Sequence, residues 1–402
     1  MPLDILALAI LPHLTDGRPS FQFGGCIVDE ALLRGLAAQG HRVRAVAEAL
    51  PAAGDEIRAA KDVPGVAVEP FAIDYVRGRE PLEPDLRARL QDQLGAALER
   101  TLDDGWRPDV VLLGRESQAW YAPEVLRGLE APIACVAQGV PTAALESGMY
   151  PPAHEADFVG HLSSLDLVIA VADHLAQTLR ARGIDRILTI PNAIDHDLFR
   201  PLPDAERMRR RLDIDAGAPV VVYTSGILTG KRPRSLVASA ARVLEAVPEA
   251  RYVFASADYG IADLKAAAAE HGVEHAFRWL GEIDRAEMPL LLSACDVMAH
   301  TSGAEGAPLT YGEAHACGLP VIATDIPAAR EAIDHGRTGL LYPVRDTEAL
   351  SAHTIALLRD RDRREAMGRA ARAEAVHRGG LGRWVERYSG ALLEVASAAV
   401  VR

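Results

Sequence analysis

Short apolar runs alternate along this chain with longer stretches in which apolar residues recur every three or four positions. The runs at 4–10, 42–47, 109–114, 133–137, 167–172 and 187–191 read as buried strands, and a second series follows at 220–225, 251–256, 277–280, 296–300, 321–324 and 339–342. Between them, 27–38, 235–246 and 262–271 carry helical periodicity and are long enough for right-handed crossovers between parallel strands. Each series therefore predicts an open, mainly parallel sheet of the α/β class, with ligands expected beyond the carboxyl ends of its strands. Pro191, Pro201 and Pro203 cluster with Asp195, Asp197 and Asp204 without periodicity, which is the composition of a linker. The predicted domains are 1–195 and 196–379, and the tail 380–402 reads as a helix burying Trp384, Tyr388 and Leu392 at helical spacing.

A length of 402 residues suits two well-packed cores. With 43 Lys and Arg against 56 Asp and Glu, the net charge of −13 offers no broad electrostatic footprint for nucleic acid or an anionic lipid surface. Arg207–Arg211 reads as a charged helix, not a nucleic-acid tract. Cys26, Cys135, Cys295 and Cys317 are scattered and form no C-x-x-C pair, so reduced thiols are expected. The histidines, His13, His154, His161, His174, His196 and His300 among them, lack metal-ligand spacing, and no metal is expected. No run reaches bilayer-spanning length, and the apolar opening is interrupted by Asp4 with no basic residue ahead of it. A cytoplasmic protein without a transmembrane segment is the expectation.

The densest chemistry lies at 302–325. A strand at 295–299 leads into a loop from Gly303 to Pro308, a short helix from Leu309 to Cys317, and a strand from Leu319 to Ala323. Such a helix start favours an anion beside Leu309 and Thr310. Glu305 and Glu313 flank that place, and carboxylates there suit the paired hydroxyls of a sugar or ribose. For Glu313 a second reading stands beside the first, because Thr310-Tyr311-Gly312-Glu313 also fits a capping box. Gly24-Gly25 precedes a helix, where backbone can approach a phosphate or simply make a tight turn. The stretch 224–232 departs from a nucleotide-triphosphate loop in glycine spacing and in Arg232, which stands where Ser or Thr belongs. It leaves Lys231 between a strand and a helix, placed either for an anionic ligand or for solvent.

Taken in order, these segments resemble the family-4 retaining glycosyltransferases, whose GT-B fold has two Rossmann-like doubly wound domains facing across a cleft. The resemblance rests on Pro191-Asn192-Ala193-Ile194-Asp195 with Phe199-Arg200-Pro201, the Gly226 to Lys231 turn, Leu280-Gly281, the Glu305 and Glu313 pair, Cys317-Gly318-Leu319-Pro320-Val321, and Thr338-Gly339-Leu340-Leu341. It implies transfer of a hexosyl or N-acetylhexosaminyl group from a nucleotide diphosphate sugar, UDP favoured, to a small-molecule or glycan hydroxyl, with configuration retained and no cofactor beyond the donor. On that resemblance Lys231 and Glu305 act in catalysis, Lys231 on the diphosphate and Glu305 on the donor sugar. Glu313 holds the donor ribose, Gly281 and Glu282 meet the base, and Leu309 and Thr310 offer helix-start donors to the phosphate. Gly24, Gly25, Gly226, Arg232, Gly306 and Ala307 complete the donor-binding set, and the tail helix crosses back to the first domain.

This chain departs from the family pattern at Ile227, where an arginine is usual, with Arg232 or Arg234 as substitutes, and at Gln138, where many members carry histidine. Glu116, Gln138 and His154, with Arg115 and Asp16, are the candidate acceptor or sugar contacts. The alternatives are a GDP-mannose-type mannosyltransferase and a catalytically inactive GT-B partner subunit. A nicotinamide-dependent oxidoreductase lacks its glycine fingerprint here. The oligomeric state is not encoded.

Overall fold

The computed structural model describes residues 1–11, 14–15, 18–19, 24–49, 62–72, 84–139, 141–142, 145, 152–256 and 260–400. The chain divides into two units, Met1–Asn192 with Leu381–Arg402, and Ala193–Gly380.

The first unit contains β1 (Asp4–Ile10), β2 (Leu14–Thr15), β3 (Arg18–Pro19), β4 (Arg42–Ala49), β5 (Val66–Ala72), β6 (Val110–Leu113), β7 (Ile133–Ala137), β8 (Leu167–Ala170) and β9 (Ile187–Thr189). Seven of these form a parallel sheet in the order β5-β4-β1-β6-β7-β8-β9, and β2 pairs with β3 as an antiparallel ribbon. The central strands are buried throughout, β6 and β7 at every position, as helices on both faces of a parallel sheet require. β5 escaped the sequence reading because Glu69 and Pro70 break its apolar pattern. Proline lacks a ladder donor and is tolerated here because β5 is an edge strand. The last helix, Leu381–Val400, buries Trp384, Tyr388 and Leu392 in this unit. Its Val385 lies so near Gly35 that a Cβ there would sit 2.3 Å from Val385 Cγ2.

The second unit contains β10 (Val220–Tyr223), β11 (Arg251–Phe254), β12 (Phe277–Trp279), β13 (Val297–His300), β14 (Val321–Thr324) and β15 (Gly339–Tyr342), all parallel, in the order β12-β11-β10-β13-β14-β15. Separate apolar clusters contain alternating strand residues, Val222 and Val253 in one, Val221 and Tyr252 in the other. Aromatic side chains gather in the second cluster, where Tyr223, Phe254, Trp279, Phe277 and Tyr252 contact one another in that order, ring to ring.

Both sheets are Rossmann-like. Each chain path fills one side of its sheet first and then returns to the other, which opens a crevice between β1 and β6 in one unit and between β10 and β13 in the other. Among the described residues no helix is long and apolar enough to cross a membrane.

Candidate active site

The crevice of the second unit is lined by the loops that leave β10 and β13. The first passes through Gly226 and a single tight turn at Thr229–Lys231. The second runs from Thr301 to Pro308 and opens the helix Leu309–Ala316. Backbone ties them together: Gly303 N–H donates to Gly230 O at 2.9 Å, and the Thr301 hydroxyl donates to Lys231 O at 2.7 Å. Lys231 Nζ is thereby brought 2.5 and 2.6 Å from the two oxygens of Glu305. Burial alone would raise the Glu305 carboxyl, but the ammonium of Lys231 and the nearby His300 outweigh it and hold the group below the usual carboxylate range.

His300, the last residue of β13, is buried beneath this pair. Its Nε2 stands 3.4 Å from Glu305 Oε1, and its Nδ1 is 3.0 Å from the Tyr311 hydroxyl. Burial lowers its pKa to about 4, so the ring is neutral at neutral pH. Sequence reasoning gave His300 no role beyond excluding it as a metal ligand. Its position at the end of the strand feeding the carboxylate loop was the one available signal.

Glu313 resolves its two readings through tertiary contact. Pro308, in extended conformation, caps the helix with no side-chain bond, so the capping box is not formed. Glu313 accepts instead from Arg285 Nη1 at 2.6 Å, and the Arg285 guanidinium lies 4.7 Å above the Phe199 ring. Arg285 belongs to the loop after β12, where Gly281 takes a left-handed φ of 71° and Glu282 is exposed. No sequence motif announced this arginine. By their position the N–H groups of Leu309, Thr310 and Tyr311 have no acceptor within the helix. Thr310 Oγ1 is buried without a hydrogen-bond partner among the described residues. Gly226 is exposed, Gly306 is buried, and Ala307 is half-buried. Arg232, half-buried, begins the helix Pro233–Ala246 in a left-handed conformation with φ 53°.

In the first unit, Gly24 and Gly25 form the start of the helix Gly24–Ala38, inside its first turn and not ahead of it. Glu116 does not present a free carboxylate. It is buried and accepts from Gln138 N at 2.6 Å and Gly139 N at 2.8 Å, so it fixes the loop after β7. Burial still pushes its carboxyl upward. Gln138 is half-buried, and its amide reaches Gly114 O at 3.5 Å. His154 lies half-buried on the helix Pro152–Ser163. Arg115 is 2.7 Å from Asp29, which also accepts from Ile10 N at 2.7 Å across the β1 and β6 crevice. Glu48, next to that crevice, accepts from Gln118 and from the Tyr121 hydroxyl. Neither Asp29 nor Glu48 was foreseen, and Asp16 and His13 lie outside the described residues.

The family model for glycosyl transferases group 1 matches residues 204–374, and that for Glycosyltransferase Family 4 matches 30–198. A GDP-mannose-dependent alpha-(1-6)-phosphatidylinositol monomannoside mannosyltransferase of Mycobacterium tuberculosis is 32% identical over 190 residues, 46% of this chain and 49% of the relative. A D-inositol 3-phosphate glycosyltransferase of Corynebacterium jeikeium is 30% identical over 228 residues, 54% of each chain. The chain spans about half the length of the curated relatives it matches. Among solved structures, HepE of Anabaena in complex with UDP and glucose aligns with a TM-score of 0.75 at 18% identity, covering 98% of this chain and 100% of that one. Sucrose-phosphate synthase from Thermosynechococcus elongatus aligns with a TM-score of 0.82 at 18% identity over the same shares. At this identity the likeness establishes the fold, which is that of the GT-B glycosyltransferases.

Proposed function

The chain belongs to the family-4 glycosyltransferases, and from that premise we propose that it transfers a hexosyl or N-acetylhexosaminyl group from a nucleoside diphosphate to an acceptor hydroxyl with retention of configuration. The observation that carries this reading is the Lys231 and Glu305 pair at the sheet crevice, in the loops that lead to the free helix start at Leu309. Breaking a glycosyl–phosphate bond leaves charge on the diphosphate. Lys231 and the N–H groups of Leu309 and Thr310 are the donors that stabilise it, and they lower the barrier because they are already oriented. Glu305 accepts from hydroxyls of the donor sugar, and Glu313, steadied by Arg285, accepts from those of the ribose. Gly281 and Glu282 supply backbone to the base. The departing phosphate takes the acceptor proton on the face it leaves, which retains configuration, and the scheme calls on no metal ion.

Uridine is the favoured base, and HepE was solved with UDP. Guanosine is the second reading, favoured by the GDP-mannose dependence in the names of the mycobacterial relatives. Isothermal titration with UDP and GDP decides between them, with Lys231→Ala and Glu313→Ala each expected to weaken binding by tenfold or more, on the order of what an unpaired charge contact costs. Absence of binding to either nucleotide by the unmodified protein sinks the proposal.

A further inference from the structure

Behind Glu305 lies a buried arrangement that the donor chemistry above does not use. His300 is 1% exposed and Tyr311 is 1% exposed, so neither can touch a substrate. Their rings meet edge to face with centroids 4.7 Å apart, and the Tyr311 hydroxyl is 3.0 Å from His300 Nδ1. His300 Nε2 faces Glu305 Oε1 at 3.4 Å and has no hydrogen-bond partner among the described residues.

A neutral imidazole has one donor nitrogen and one acceptor. If Nδ1 carried the proton, the Nε2 lone pair would confront a carboxylate oxygen, which is repulsive. If Tyr311 donates to Nδ1, then Nε2 carries the proton and points a donor at Glu305. The second arrangement sets no lone pair against the carboxylate, so the phenol fixes the tautomer.

Lys231 at present holds both oxygens of Glu305. A diphosphate competes for that ammonium, and it cannot keep a two-oxygen grip on the carboxylate while it faces a phosphate. The released carboxylate is 9% exposed and needs another donor, because an unpaired buried charge is costly. The Nε2–H group faces it, a few tenths of an ångström beyond hydrogen-bond length, and stands with Ser302 as a side chain able to donate to it.

We propose that Tyr311 and His300 are positioning residues that hold Glu305 in its sugar-binding orientation, taking over the carboxylate when the donor's diphosphate draws Lys231 away. This rests on the donor-site reading above and adds two residues to it.

The test compares His300→Phe and Tyr311→Phe with the unmodified protein, using UDP, UDP-glucose, GDP and GDP-mannose as probes, with hydrolysis of the sugar nucleotides as the rate readout. Both variants should bind the free nucleotide within about twofold of the original. Relative to that nucleotide, each should bind its sugar form about tenfold more weakly and hydrolyse it about tenfold more slowly, the loss expected for a hydrogen bond to a charged group. His300→Gln, which restores an N–H donor, should recover part of the loss. In a Glu305→Ala background, His300→Phe should add almost nothing, because the two act as one unit.

Equal loss of nucleotide and sugar-nucleotide binding, or full additivity with Glu305→Ala, overturns the proposal. If the unmodified protein binds no nucleotide, the donor-site reading fails first and this inference with it.

Discussion

Arg232 keeps a left-handed backbone directly after Lys231, a conformation costing a side chain about 1 kcal/mol that glycine would not incur. Arg232→Gly should therefore raise the thermal midpoint by a few degrees, while donor affinity, read by titration, falls about fivefold if the guanidinium contributes to the anion site. Acid sensitivity is a second property of single residues. His300 has an ordinary pKa of 6.5 and a folded value of about 4, so the unfolded chain takes the proton first as pH falls. Stability is lost from pH 6.5 down to about 4, by roughly 3 kcal/mol when complete. Glu305 works in the same direction at lower pH: its contribution is full above 4.5 and disappears as pH falls through its lowered folded value. Urea midpoints of the unmodified protein should fall more steeply between pH 6.5 and 4 than those of His300→Phe. Equal slopes would show that the buried ring does not govern this transition.

The element that matters most is the helix Leu309–Ala316, and its seating depends on Gly312. A Cβ at that position would lie 2.6 Å from Ile194 Cγ1, so the helix approaches the Ile194 segment only because a side chain is missing. Gly312→Ala should cost about 1–3 kcal/mol through overpacking, and Ile194→Ala should return part of it in the double variant, as denaturation of both singles and the pair would reveal. Helix and strand placement was largely legible from periodicity: β1, β7, β14 and β15 occupy the predicted runs. Edge strand β5 was not, because Pro70 violates a pattern that only central strands must obey. The spacing of Thr310 and Glu313 was legible too, yet it fits two structures equally well. Arg285, from a loop after another strand, chooses between them.

At the scale of the whole molecule, the second unit is a continuous segment with its own apolar clusters, whereas the first is completed by a distant tail. A fragment of 193–380 should fold cooperatively by itself. Removal of residues 381–402 should leave the first unit aggregation-prone, since Trp384, Tyr388 and Leu392 no longer cover it. Circular dichroism and denaturant unfolding of the two truncations check both outcomes, and a disordered 193–380 fragment would refute the independence of that core. The sequence by itself determined two mainly parallel α/β sheets, most of their strands as runs along the chain, and the loops carrying Lys231, Glu305 and Glu313, because periodicity and turn composition act over neighbouring residues. Only the tertiary structure decided which charges meet. Lys231 finds Glu305 across 74 positions, Arg285 finds Glu313, and Glu116 is taken up by the backbone after β7. Such pairings depend on where separate strands end in space, and no local pattern along the chain records that.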